Sequence, residues 1–264
     1  MSAAGGAGVA AESLLLAGRG VRRFLRSPQQ MVHTVVMPLI LLFTMLIVFG
    51  GVVAGAGGGS YVARLAPAIV MFGAASGSVL TGVGFYLDLN TGLYDRFRTM
   101  PISRASPLVG RVLSDLTRVL LTAVASAAAA HLAGFRFERG PLAALAFFGV
   151  VLAFGSIFMW IALVIALTVR KVEAIGMLLT APSTLLLFFS SGFAPKDAFP
   201  GFLQPLVGAN PLSSAADAAI GLSSGGHPVA GPVTHILCWA LAVTAVAAPL
   251  AVRLYRRRDL ATPG

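Results

Sequence analysis

The chain has 264 residues, of which 57% are hydrophobic and only 11% charged, with a mean hydropathy of +0.89. A water-soluble domain carries roughly 25% charged residues, so this composition excludes an ordinary soluble fold and implies that most of the chain avoids water. The net charge is +10, and 17 of the 19 basic residues are arginines set beside apolar runs, which favours an anionic membrane surface over nucleic acid as the counter-charge.

The first dozen residues lack a basic region and a strong apolar stretch, and the first arginine is Arg19. No cleaved signal is expected there. Residues 11–27 read instead as an amphipathic helix. Arg19, Arg22, Arg23 and Arg26 recur at i, i+3, i+4 and i+7, with Leu14, Val21, Phe24 and Leu25 over much of the other side. Such a helix lies in the membrane interface, apolar side down and guanidiniums among lipid phosphates. The plainer alternative is a basic flank to the first span.

A bilayer-crossing helix needs about 20 mostly apolar residues. Six segments meet that need: 34–53, 65–87, 107–134, 141–169, 174–194 and 232–252. An even number places both termini on one side. With the N-terminus in the cytoplasm, the inner segments hold fourteen basic residues and the outer ones Arg64, Arg136, Arg139 and Lys196. The positive-inside rule therefore puts both termini, and the link between the second and third spans, in the cytoplasm. The outer segment 195–231 is moderately apolar and broken by Pro and Gly. Two short helices dipping into the outer leaflet fit it better than a solvated loop. Residues 253–264 form an arginine-rich cytoplasmic tail.

Residues 90–104 are the most polar stretch inside this greasy chain. Asn90 or Thr91 caps a helix start, Leu93, Phe97 and Met100 follow at i, i+4 and i+7 beside Tyr94, and Pro101 stops it. Asp95, Arg96 and Arg98 make its surface partly ionic, and Arg104 follows. So short a helix is unstable alone in water. It either docks into a groove of a cytoplasmic partner or rests on the bilayer. Ser106 and Pro107 then suit an N-cap and a first helical position. Arg111, Asp115 and Arg118 fall at i, i+4 and i+7 and share one face, where Asp115 pairs with either arginine. Arg118 lies within snorkelling reach of the inner interface. The trio is a paired stripe of the inner leaflet, or an inner gate or partner contact.

"GLYDRFRTMPISRASPLVGRVLSDLTR" resembles the signature of the ABC-2 type permeases, above all their daunorubicin-resistance and actinobacterial lipid-export members. The matching positions are Gly92, Asp95, Arg96, Phe97, Arg98, Met100, Pro101, Ile102, Ser103, Arg104, Gly110, Arg111 and Asp115. "NPLSSAADAAIGL" is similar to a second family segment and gives Asn210, Pro211 and Asp217. The likeness covers nearly the whole chain as one transmembrane domain, 1–264. It implies an all-α membrane protein of the ABC-2, or type V exporter, kind: six transmembrane helices, an interfacial connecting helix, a cytoplasmic coupling helix over 90–104, and an outer re-entrant hairpin. It further implies a permease subunit exporting an amphiphilic drug or lipid across the bacterial plasma membrane. Its partners would be a separate ATP-binding subunit, a second permease chain, identical or related, and membrane lipids. The coupling helix would seat in that ATP-binding subunit, settling the open choice above toward docking.

The chain has no G-x-x-x-x-G-K-[ST] loop, since Lys171 precedes Val172 and Lys196 precedes Asp197. It is expected not to be an enzyme and to hold no cofactor, with Mg-ATP bound by the partner. The rival readings are weaker. Ser76 with His235 as its base matches an intramembrane hydrolase poorly, because Gly/Ala/Ser runs more often mark close helix packing. His131, His227 and His235 lack Glu or Cys at ligand spacing, and no metal site is expected. Charge-free span centres disfavour a proton-driven carrier. A membrane scaffold for lipid or natural-product biosynthesis remains the alternative, and no nucleic acid is expected. The single cysteine, Cys238, permits no intrachain disulfide.

Overall fold

The computed structural model describes residues 3–55, 61–91, 106–224 and 228–261. Among them all regular structure is helical: α1 (Ala3–Leu25), α2 (Pro28–Gly55), α3 (Tyr61–Asn90), α4 (Ser106–Leu132), α5 (Gly140–Thr168), α6 (Val172–Phe188), a 3-10 turn (Lys196–Ala198), α7 (Gln204–Ala209), α8 (Pro211–Ser224) and α9 (Ala230–Ala261). Among the described residues, four segments are long and apolar enough to cross a membrane: Val62–Asn90, Ser106–Leu132, Gly140–Thr168 and Ala230–Arg257. Val36–Val48 and Val172–Phe188 are shorter apolar helices. Of the six spans expected from sequence, four are of spanning length among the described residues, and the first and fifth hold only the shorter apolar helices.

α3 is the hub, packed against α2, α4, α5, α6 and α8. α5 supplies the heaviest core residues, Phe147, Phe154, Met159 and Leu163, all fully buried. It carries no charge and is apolar on every side, which is the pattern of a helix enclosed by others.

The fifth apolar segment ends earlier than the expected Ala194. α6 stops at Phe188, and Phe189 leaves helical geometry at φ −95°, ψ 38°. The cause is a cap delivered from far along the chain. Asn210 donates its side-chain amide to the carbonyls of Leu186 and Phe189, at 2.8 and 2.7 Å, and so satisfies carbonyls at the helix end that find no partner inside it. Conversely, α9 runs to Ala261, so most of the expected tail 253–264 is helix. No breaker follows Pro249 before Pro263, and Tyr255 is buried against the main core, which anchors the extra turns.

The described part of segment 195–231 holds the 3-10 turn, α7 and α8, and α9 begins at Ala230. α8 is buried along almost its whole length. Its serines and alanines let it approach closely, as does Gly192, where an added Cβ would overlap the Cβ atoms of Ala68 and Ala216. This packing lies near the N-terminal end of α3, where Arg64 donates to the Ser191 carbonyl at 3.2 Å. About 36 Å of helix separates Arg64 from Asp88 near the other end of α3, at 1.5 Å per residue.

Candidate functional site: an ionic ladder at the end of α3

The ladder starts from two facing stripes. Gly77, Thr81, Gly84 and Asp88 fall at i, i+4, i+7 and i+11 on α3, and Arg111, Asp115 and Arg118 fall at i, i+4 and i+7 on α4. Each stripe lies along one helix face. Where α3 and α4 pack, the two interlock. Arg111 donates through Nη1 to Asp88 and through Nε to Asp115, both at 2.9 Å, and through Nη2 to the Thr81 carbonyl at 3.3 Å. Arg118 places Nη1 at 3.2 Å from Asp115 and donates through Nη2 to the Gly77 carbonyl at 2.9 Å and the Thr81 hydroxyl at 2.8 Å. Gly84 makes room for this, because a Cβ there would overlap the Arg111 guanidinium.

α1 closes the ladder from a third side. Arg23 donates to the second oxygen of Asp88 at 2.8 Å. Ser13, Ala17, Gly20 and Phe24, again at i, i+4, i+7 and i+11, are the α1 residues turned to the bundle. Small residues set the approach. An added Cβ at Gly20 would overlap the Ser114 hydroxyl, and one at Gly110 would meet Leu16 Cβ at 2.8 Å and the Ser13 carbonyl oxygen at 3.0 Å. At the start of α4, Ser106 donates to the Glu12 carboxylate at 2.6 Å, and Ser13 donates to the Ser106 carbonyl at 3.5 Å.

Asp88, Asp115 and Arg118 are all about 5% exposed. Charges this enclosed persist only when paired and hydrogen-bonded, and here each carboxylate meets two arginines. The arrangement is a set of ion pairs and hydrogen bonds between helices. It locks the C-terminal end of α3, the N-terminal half of α4 and the amphipathic α1 into one electrostatically cross-braced unit.

The expected site residues fare unequally. Arg111, Asp115 and Arg118 do share a face and pair, but Arg118 is buried against α3 instead of snorkelling outward. The reason is local: the Gly77 carbonyl and the Thr81 hydroxyl offer it acceptors within reach. Arg19, Arg22 and Arg26 are exposed on α1, while Arg23 is drawn to Asp88. Phe24, expected on the lipid side, is buried against the bundle, whereas Leu14, Leu15 and Leu25 stay exposed. Asn210 caps α6, Pro211 opens α8, and Asp217 accepts from the Ser191 hydroxyl at 2.7 Å. Leu93, Tyr94, Asp95, Arg96, Phe97, Arg98, Met100 and Arg104 lie outside the described residues.

The rival dyad is not assembled. Ser76 donates to the Gly73 carbonyl of its own helix, and His235 pairs with Ser214 at 2.5 Å. Among the described residues, no group of three or more His, Cys, Asp or Glu gathers as metal ligands would.

Sequence reasoning missed Asp88, together with its neighbours Thr81 and Gly84. A signal was there. An acid in the last turn of a helix opposes the macrodipole, and beside an apolar span it calls for a cation.

Comparison with known proteins adds an independent line. The family model described as ABC-2 type transporter matches residues 12–222, which takes in the whole ladder. The daunorubicin resistance ABC transporter permease protein DrrB1 of Streptomyces coeruleorubidus is 33% identical over 246 residues, covering 91% of this chain and 84% of that protein. The probable doxorubicin resistance ABC transporter permease protein DrrC of Mycobacterium tuberculosis (strain ATCC 25618 / H37Rv) is 30% identical over 249 residues, covering 94% and 89%. The doxorubicin resistance ABC transporter permease protein DrrB of the same strain is 28% identical over 116 residues, 44% of this chain.

Proposed function

Because the chain belongs to the ABC-2 type transporter family, we propose that it is the membrane permease of an exporter for an amphiphilic drug or lipid, driven by a separate ATP-binding subunit. It is an integral membrane protein of the bacterial plasma membrane. Six helices cross the bilayer in this reading, with both termini cytoplasmic and 195–231 as the re-entrant hairpin on the outer side. Two permease chains, identical or related, enclose the path. Mg-ATP is bound and hydrolysed by the partner, since no phosphate-binding loop occurs in this sequence.

The observation that carries the reading is the position of the ladder. α3 ends at Asn90 and α4 begins at Ser106. Between them stands the sequence 92–105, with Asp95, Arg96, Phe97 and Arg98. The ladder braces both flanks of that segment, and α1 with them. A push on the segment is then delivered to α3 and α4 together, because breaking the enclosed pair between Asp115 and Arg118 costs about 3–5 kcal/mol, and α1 follows through its close packing on α4 and the more exposed Arg23–Asp88 bond. ATP-driven closure of the partner subunits would act on the coupling segment, and the ladder would convert that local push into movement of α3 and α4.

The relatives named for daunorubicin and doxorubicin resistance support a lipophilic, drug-like cargo. The charge-free α2 and α5, and α6 beyond Glu173 in its first turn, suit an apolar path. The test is export from proteoliposomes holding this chain with an ATP-binding subunit. Phe97→Asp or Arg98→Glu should abolish ATP-dependent export while leaving the chain inserted. Unchanged export by both variants would overturn the docking role, and a chain that never supports export with any such subunit would favour a scaffold.

A further inference from the structure

The ladder uses one face of α3. The opposite face repeats its spacing: Ala75, Val79, Gly82 and Tyr86 fall at i, i+4, i+7 and i+11, about half a turn around the helix from Gly77, Thr81, Gly84 and Asp88. Here α3 meets α5 and α6 at close quarters. A Cβ at Gly82 would lie 2.7 Å from Ile175 Cγ2 of α6 and 3.4 Å from Ala162 Cβ of α5, and both neighbours are fully buried. One turn further on, Tyr86 donates its hydroxyl to the Arg170 carbonyl at 2.6 Å. Arg170 stands in the link 169–171 between α5 and α6, whose Val169 and Lys171 are both extended. A link so short keeps the start of α6 close to whatever holds Arg170. The Tyr86 carbonyl in turn accepts the Asn90 side-chain amide at 2.9 Å, and Asn90 is the last residue of α3, just ahead of the sequence 92–105.

From these contacts we propose that Tyr86 is a positioning residue of transport: its bond to Arg170 hands the movement of the α3 end to the α5–α6 link, so that α6 moves with α3 and α4. The inference rests on the permease reading above and adds a second output to the same push. Chains of packed side chains and hydrogen bonds carry coupling of this kind. The ladder ties α3 to α4 and α1 on one side, and Gly82 with Tyr86 ties it to α5 and α6 on the other. The two contacts divide the work. Packing at Gly82 resists pushing α3 into α6, whereas the Tyr86 hydroxyl resists pulling them apart. A tyrosine suits the place, because its ring packs on the core while its hydroxyl reaches a polar partner at the rim.

The test separates the hydroxyl from the ring. Tyr86→Phe keeps the packing and removes the bond. The full chain is placed in proteoliposomes with an ATP-binding subunit, with doxorubicin as the cargo probe. Tyr86→Phe should keep ATP hydrolysis and the melting temperature, and should lower doxorubicin exported per ATP about fivefold, the shift expected from losing one such bond. Thr168→Val should export normally, since that hydroxyl bonds to carbonyls of its own helix, at Val164 and Ile165. A spin-label pair reads the link with no partner present. Leu87→Cys and Lys171→Cys, both at exposed positions, are combined with Cys238→Ser in nanodiscs. Their distance distribution by continuous-wave EPR should be narrow, and broadened by Tyr86→Phe. Unchanged export per ATP in Tyr86→Phe, where Phe97→Asp abolishes export, would overturn the role of Tyr86 and leave the permease reading standing. A parallel fall in hydrolysis, export and melting temperature would also overturn it, making Tyr86 a structural prop. If the parent chain exports nothing, the permease reading fails and the label pair decides alone: a broadened distribution upholds the link, and an unchanged one overturns it.

Discussion

Arg111 on α4 reaches back to Asp88 on α3 across 2.9 Å, and the same carboxylate holds Arg23 of α1 at 2.8 Å. One acid thus joins three helices at the end of the bundle where the sequence 92–105 leads from α3 to α4. That junction, more than the apolar spans, separates this chain from a generic membrane bundle.

Exchanging the partners tests the junction. Asp88→Arg and Arg111→Asp should each abolish export and lower the melting temperature of the solubilised chain. Combined, they should recover part of both. The coupling energy expected between contacting residues is about 0.5–3 kcal/mol. Additive losses in the double variant would mean the pair is incidental.

Asp115 is held by Arg111 and Arg118 together. Asp115→Asn keeps the shape but leaves the buried Arg118 without a carboxylate, while Arg111 keeps Asp88, and should destabilise by about 3–5 kcal/mol. Thermal unfolding in detergent reads this directly. A shift no larger than that of a surface substitution would show the ladder is solvated and weak.

Close approach of α1 to α4 rests on Gly20 and Gly110. Gly110→Val should push α1 away, break Arg23–Asp88 and expose the α4 start to limited proteolysis. Gly18→Ala, with nothing within 4 Å of the added Cβ, should be neutral or stabilise by up to about 1 kcal/mol through helix propensity. Equal proteolytic patterns in the two variants would contradict the packing.

At the other end of the bundle, Asn210 closes α6 with two donated bonds and accepts one from the Leu212 amide at 2.8 Å. Asn210→Ala should cost about 1–3 kcal/mol by leaving those carbonyls unsatisfied, and it should loosen 189–210 in hydrogen exchange. Asn210→Asp keeps the accepted bond and loses the donors, so it should resemble the alanine variant in exchange at 189–194.

Much of this was legible in the sequence, for a physical reason. Spans, interfacial arginines and the Arg111–Asp115–Arg118 stripe are periodic within single helices, and one helix's geometry is enough to place them. What was hidden depends on contacts between helices. Asp88 fell one residue beyond a span drawn to Leu87, and only packing against Arg23 and Arg111 gives it a role. Arg118 read as a snorkelling residue because the acceptors that hold it belong to α3. The end of α6 is fixed by Asn210, more than twenty residues on, which a local reading could not supply. α9 continued past its apolar run because Tyr255 found a core to bury in.

The central claim is that residues 93–104 face the cytoplasm and seat against an ATP-binding subunit. It is tested most directly by a single thiol at that segment: Phe97→Cys with the native Cys238, which is exposed, changed to Ser. The account predicts labelling by a membrane-impermeant maleimide in inside-out vesicles, and protection when the ATP-binding subunit is bound. Labelling from the outer face of intact cells would contradict it.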